Sequence, residues 1–172
     1  MKVLAIGCHP DDLEIGCYGT LAKYAKQGHT VSVCHIANGN MGHTEILPGE
    51  LGKIRFDEAE AAAEVIGADH YSIDIPDIHV TAENDRLVYE LSKVIRKTQP
   101  ELIITHYGQD YMNDHIQTYF AAFRASFGAS IPHFTALRQG SPFRCVRFIT
   151  WIPWPASASS PRNMLIYLRK ST

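Results

Sequence analysis

In the stretch VLAIGCHPDDLEIGCYGTLAKYAKQG, residues 3–28, the side chains able to do chemistry are His9, Asp11 and Asp12. They stand where a run of small apolar and β-branched residues stops and an amphipathic helical pattern begins. His9 and Asp12 are three apart on a turn entering a helix, so their side chains can converge on one point while Asp11 points elsewhere. A neutral imidazole and a carboxylate are good ligands for a first-row metal, and catalytic zinc commonly takes three protein ligands and leaves a position for water. Much later in the chain, DYMNDH offers His115 as the natural third ligand. Bound zinc lowers its water's pKa to about 7, and a carboxylate that does not bind the metal can then take the proton. Asp11 fits that duty. The alternative, a plain helix cap, needs only one of Asp11 and Asp12 and leaves His9 and the other acid without a reason.

These groups have to be positioned by an alternation of strands and helices. Val3–Ile6 reads as a strand buried on both faces, and Glu14–Lys26 as a helix with Leu13, Leu21 and Tyr24 on its apolar side, closed by Gly28-His29. Thr30–Ile36 is a second β-rich run, followed by a glycine-bearing loop from Ala37 to Gly49. Glu50–Val65 is helical, His70–Ile75 a third strand, Ala82–Lys97 a helix, LIITHY a fourth buried strand, and a further helix is expected from Asp114 onward. Strands joined by helices of about ten residues or more imply right-handed βαβ crossovers and a parallel sheet covered on both faces. The expected fold is α/β, a Rossmann-like three-layer sandwich with a mostly parallel sheet. Ligands in such folds bind beyond the carboxyl ends of the strands at the topological switch point. That rule brings His9–Asp12, after strand one, and His106–His115, after strand four, to one edge.

Composition narrows the function classes. The chain has 172 residues, 45% of them hydrophobic, a net charge of -2 and a pI near 6.5. This favours one globular domain and gives no sign of a nucleic-acid or acidic-membrane partner. The apolar run reaching His9 is too short and too early for a signal-peptide core or a membrane span, so a cytoplasmic location is expected; oligomeric state is left open. Cys8, Cys17, Cys34 and Cys145 show no CxxC spacing and read as reduced, buried small hydrophobes; Cys8 beside His9 is the one that could serve as a soft ligand. There is no GxGxxG after strand one, no GxxxxGK[ST] and no GxSxG, so dinucleotide, P-loop and serine-hydrolase readings lose their support.

HPDDLEIGCYGTLAKY, followed by a distant DYMNDH, resembles the LmbE-like or PIG-L zinc-dependent N-deacetylases, which remove acetyl groups from N-acetylated amino sugars and their glycosides. The resemblance continues through ELGKIRFDEAEAAAEVIGA and PELIITH, from about Met1 to Gly140. It implies that His9, Asp12 and His115 bind the metal and that Asp11 is the general base, acting on a small N-acetyl sugar. It further implies a substrate-holding role for Arg55, a place near the sugar site for Asp77, and an orienting role toward a neighbouring histidine for Asp114. Zinc follows from the resemblance, because two nitrogens and a carboxylate suit several divalent metals.

Two departures stand out. Several relatives carry a histidine three residues before the last ligand, held to stabilise the oxyanion or protonate the leaving amine; here that position is Met112, and a thioether does neither. His106 and His43 are the available substitutes, and losing one oxyanion donor costs about 10²–10³ in rate. The tail beyond Phe143, RCVRFITWIPWPASASSPRNMLIYLRKST, shows no clean strand or helix period. Back-translated with suitable codons, ITWIPWPAS read one nucleotide earlier becomes Tyr-Tyr-Met-Asp-Thr-Leu-Ala-Gly-Ile, which resembles the family's C-terminal region. The expectation is a deacetylase domain over residues 1–143, incomplete at its C-terminal end, and an atypical, out-of-frame tail over 144–172, with a frameshift near Phe143–Cys145. In that tail Phe148, Ile149, Trp151 and Trp154 would be exposed and prone to aggregate. The competing functional class is a noncatalytic product, either an impaired family member or a metal- or sugar-binding module.

Overall fold

The structure is a computed structural model that describes residues 1–134 and 147–150, together with the backbone of Trp151, whose side chain lies outside the described part, and of a short strand at 166–167. Its elements are β1 (Lys2–Gly7), α1 (Asp12–Gly16), α2 (Tyr18–Lys26), β2 (Thr30–Ala37), α3 (Pro48–Val65), β3 (Asp69–Ile75), α4 (Asp85–Thr98), β4 (Leu102–His106), α5 (Asn113–Ser130), β5 (Phe148–Trp151) and β6 (Ile166–Tyr167). The sheet order is β3-β2-β1-β4-β5-β6, with parallel pairing from β3 through β5 and β6 antiparallel at the edge. β1 lies between β2 and β4, with Ile6 opposite both Cys34 and Thr105, so the chain reverses direction across the sheet at the carboxyl end of β1.

The central strands are buried on both faces, as an all-parallel region requires. Leu4, Ile6, Ile36 and Ile103 meet Leu87, Leu91 and Ile95 of α4 and the alanines of α5 on one side. Val3, Ala5, Val31, Val33 and Ile104 meet Leu13 and Leu21 on the other. A Cβ on Gly7 would stand 2.7 Å from Leu13 Cγ, so the absence of a side chain there lets α1 lie directly on the end of β1.

Four differences from the sequence reading have physical reasons. The expected helix over Glu14–Lys26 is two helices: Cys17, at φ -148, leaves the helical region after Gly16, and its carbonyl starts α2 by accepting from Thr20 and Leu21 N–H. A glycine at the junction weakens continuation. The end of α2 does follow the glycine rule: Gly28 is left-handed at φ 80, and His29 N–H reaches back to Tyr24 C=O. α4 begins at Asp85 instead of Ala82, because the Asn84 side chain accepts from Arg86 and Leu87 N–H and fixes the start. Phe148–Trp151 is a strand, paired parallel with β4 from Ile103 to His106, and a run of four residues is too short to show a period. Phe148 and Ile149 are half-buried and pack against the two core clusters, in place of the exposure expected of them. The frameshift position, Phe143–Cys145, and Trp154 lie outside the described residues.

Behind α1, Glu14 faces His35 Nε2 at 3.6 Å, and His35 Nδ1 meets His70 Nε2 at 3.2 Å. Burial, reinforced by His35, pushes the His70 pKa down to about 4. An unfolded histidine takes up its proton near pH 6.5, so between about 6.5 and 4 the unfolded chain binds more protons and stability is lost as pH falls. In His70→Gln, denaturant midpoints measured across that window should fall less steeply than in the parent.

Candidate metal centre

β1 delivers Cys8 and His9 directly past its last residue, and the turn into α1 closes on itself. Asp12 N–H donates to the His9 carbonyl (3.2 Å), while His9 N–H donates to Asp12 Oδ2 (2.7 Å). The neighbouring strand β4 ends in His106, whose Nε2 accepts Cys8 N–H at 2.9 Å. The first turn of α5 brings His115, whose ring stacks on that of His106 with centroids 4.1 Å apart.

The groups meet at one atom. Asp12 Oδ2 lies 3.3 Å from His9 Nδ1, 3.3 Å from His115 Nε2 and 3.4 Å from His106 Nε2. Two ligands of one tetrahedral zinc, each on a bond of about 2.0–2.2 Å, stand about 3.3–3.5 Å apart. His115 is buried, with Nε2 facing that oxygen. An imidazole nitrogen facing a carboxylate oxygen at ligand-to-ligand spacing fits a shared cation. Cys8–His9–Asp12 and Asp12–His106–His115 each have ligand atoms within 4.8 Å of one another, with Asp12 in both groups.

The electrostatics agree with a cation-seeking site. Burial opposes charge on Asp12, yet contacts from His106, His115 and His9 hold its pKa well below the carboxylate range. Burial likewise opposes protonation of His9, but Asp12 and Cys8 raise its pKa to about 11. His106 is pushed down by burial, and Cys8 is pushed up by it. For His115, Asp12 and Asp110 outweigh burial and raise the pKa. A metal bound by these atoms has to displace the proton that Asp12 holds on His9, so zinc affinity should fall as pH falls. Because both His9 and His115 are shifted toward the protonated form, calorimetric titrations at pH 7 in two buffers of different ionisation enthalpy should register net proton release on zinc binding.

The remaining residues singled out in the sequence fall around this cluster. Asp11 does not join it: at φ 132 its exposed carboxylate pairs with Arg55 Nη2 at 2.8 Å, and the same guanidinium nitrogen donates to the Pro10 carbonyl. Partial desolvation and the charge of Asp12 raise the Asp11 pKa, while Arg55 pulls it back. Asp114 is buried; its Oδ2 accepts Ile78 N–H at 2.7 Å and stands 3.4 Å from His9 Nε2, so the histidine it meets is His9. Asp77 contacts the loop after β2, accepting Gly39 N–H (2.8 Å) and Met41 N–H (2.9 Å). His43 is exposed and accepts from Glu45 and Ile46 N–H. Met112 is half-buried at the start of α5.

Sequence reasoning missed Asp110, whose fully covered side chain reaches His115 Nδ1 at 3.2 Å. A carboxylate behind a ligating imidazole fixes its orientation and raises its basicity. The signal was present in DYMNDH, where an acid stands five residues before the histidine, in the loop leading into α5.

A parallel sheet whose switch point gathers a carboxylate and three imidazoles defines an α/β protein with a candidate metal centre at its strand ends. The chain belongs to the PIG-L family, described as GlcNAc-PI de-N-acetylase, whose profile matches residues 4–126. It is 32% identical to the 4-oxalmesaconate hydratase of Pseudomonas putida over 122 residues, 66% of this chain and 47% of that protein. It is 29% identical to the 1D-myo-inositol 2-acetamido-2-deoxy-alpha-D-glucopyranoside deacetylase of Thermobispora bispora over 180 residues, 85% of this chain and 57% of that one. The chain thus spans about half the length of these curated relatives. Among solved structures, the N,N'-diacetylchitobiose deacetylase of Pyrococcus horikoshii superposes with a TM-score of 0.79 at 27% identity, covering 87% of this chain and 60% of that one.

Proposed function

We propose that the protein is a zinc-dependent N-deacetylase that removes the acetyl group of an N-acetylated amino sugar or glycoside. The observation that carries this is the convergence of three imidazoles on Asp12 Oδ2, beside an acid, Asp11, that is not part of the cluster. His9, Asp12 and His115 would hold the metal. When bound there, zinc supplies a water of pKa about 7 and polarises an amide carbonyl. Asp11 takes the proton of the attacking water and returns it to the departing amine, so that acetate and a free amine leave. Arg55 holds the Asp11 carboxylate and the Pro10 carbonyl and so fixes where the base stands. Asp110 and Asp114 orient His115 and His9 through their far ring nitrogens. His106 supports the turn through Cys8 N–H.

Among the described residues no helix is long and apolar enough to cross a membrane. The same reading places the protein in the cytoplasm, acting on a small sugar without nucleic acid, and leaves homo-oligomerisation open. It also takes residues 144–172 as lying out of the family's frame; the gene's nucleotide sequence tests this, and one uninterrupted frame shared with close relatives through that region would sink it.

A second reading is favoured by the hydratase relative and by Met112, which cannot protonate a leaving amine: water activated by the same groups adds to a carbon–carbon double bond. Incubation of zinc-loaded protein with N,N'-diacetylchitobiose and, separately, with a conjugated dicarboxylic enoate decides between them. Acetate and free amine formed one to one support the deacetylase. Loss of conjugated absorbance with no acetate supports the hydratase.

A further inference from the structure

Each of the loops after β2, β3 and β4 leaves a large apolar side chain in solvent near the cluster: Met41 (45% exposed), Ile78 (73%) and Tyr111 (78%). Single exposed apolar residues are ordinary on a protein surface. These three, however, sit one contact away from the metal cluster or the loops that frame it. The Tyr111 ring stands edge-on to that of His115, with centroids 5.8 Å apart. Ile78 N–H donates to the Asp114 oxygen that also faces His9 Nε2. Asp77, adjoining Ile78 in the chain, accepts Met41 N–H.

Ile78 adds a second anomaly. Its φ is 61, in the left-handed region, where a β-branched residue is a genuine outlier and glycine would sit without a steric penalty. Its side chain is turned to solvent, so the strained conformation buries no apolar surface for the fold. Strain of this kind is held where surrounding bonds over-determine the backbone, and it collects at ligand clamps. Here the bond is the 2.7 Å contact to Asp114, next to the chemistry.

We propose that Tyr111 and Ile78 form a platform for the carbon face of a pyranose ring and act as specificity determinants for the sugar that carries the scissile amide. This rests on the deacetylase reading and deepens it. One face of a pyranose presents C–H groups, which complement the electron-rich face of a tyrosine ring and an aliphatic side chain. A tyrosine offers that area with few rotors to freeze. A dicarboxylate would gain nothing from such a surface, so the platform also bears on the choice between deacetylase and hydratase.

The test is calorimetric binding of chitobiose, the glucosamine disaccharide with no amide to cleave, to zinc-loaded protein. Tyr111→Ala should weaken binding at least tenfold, while Tyr111→Phe stays within twofold of the parent. Ile78→Gly should weaken binding threefold or more without lowering the melting temperature, because relieving a left-handed isoleucine does not destabilise the fold. A merely structural role would lower stability and affinity together. A parent that does not bind chitobiose, a Tyr111→Ala variant within twofold of the parent, or an Ile78→Gly variant that loses affinity only by melting lower would overturn the platform. A parent that binds chitobiose through Tyr111 yet releases no acetate from diacetylchitobiose contradicts the deacetylase reading and leaves the platform standing.

Discussion

Asp12→Ala should weaken zinc binding by about two orders of magnitude or more. A structural zinc site is worth about 10–16 kcal/mol over four ligands, roughly 3 kcal/mol each, and each 1.4 kcal/mol is tenfold. Asp12 contributes more than an average ligand here, because its Oδ2 is the atom on which His9, His106 and His115 converge. Without it, three imidazoles face one another with no carboxylate among the ligand atoms themselves, since Asp110 and Asp114 reach only the far ring nitrogens of His115 and His9. The loss is read by competition with a chromophoric chelator, with circular dichroism to show that the fold persists. Affinity within tenfold of the parent would mean that the cluster is not the metal centre.

Asp11→Asn has the opposite signature. Its carboxylate pairs with Arg55 and lies outside both groups of potential ligands, so zinc affinity should stay within about threefold. The amide oxygen of asparagine can still accept from the guanidinium, which keeps the turn in place. Losing a general base typically costs about 10²–10⁴ in rate, and acetate release should fall by that factor. A rate that is unchanged would remove Asp11 from the chemistry. Joint loss of rate and metal would make it a structural support of the turn.

What could be read from the sequence was local or followed from topology. His9 and Asp12 were legible because three residues of turn bring them together whatever the rest of the chain does. His115 was legible because strand-end loops of a parallel sheet share one edge. The break at Cys17 was hidden because the apolar spacing of Leu13, Leu21 and Tyr24 passes through Gly16 unaltered. The Glu14–His35–His70 chain was hidden for another reason: His35 sits in a run that reads as a buried strand, and only the packing of α1 on the sheet brings Glu14 to it. Ile78 was opaque in the same way, and Asp77 was named only through the family resemblance, without its contacts. A backbone conformation, not a residue type, decides that Asp77 contacts a loop and that Ile78 faces solvent. β5 was missed because four residues carry too little pattern to outweigh the unfamiliar tail around them.

The first measurement is a titration of the purified parent protein with Zn²⁺, following bound metal against a competing chelator. If the ends of β1 and β4 meet as the geometry shows, binding should saturate at about one zinc per chain. No saturable binding after reconstitution would contradict a metal centre at Asp12, and with it the proposed deacetylase.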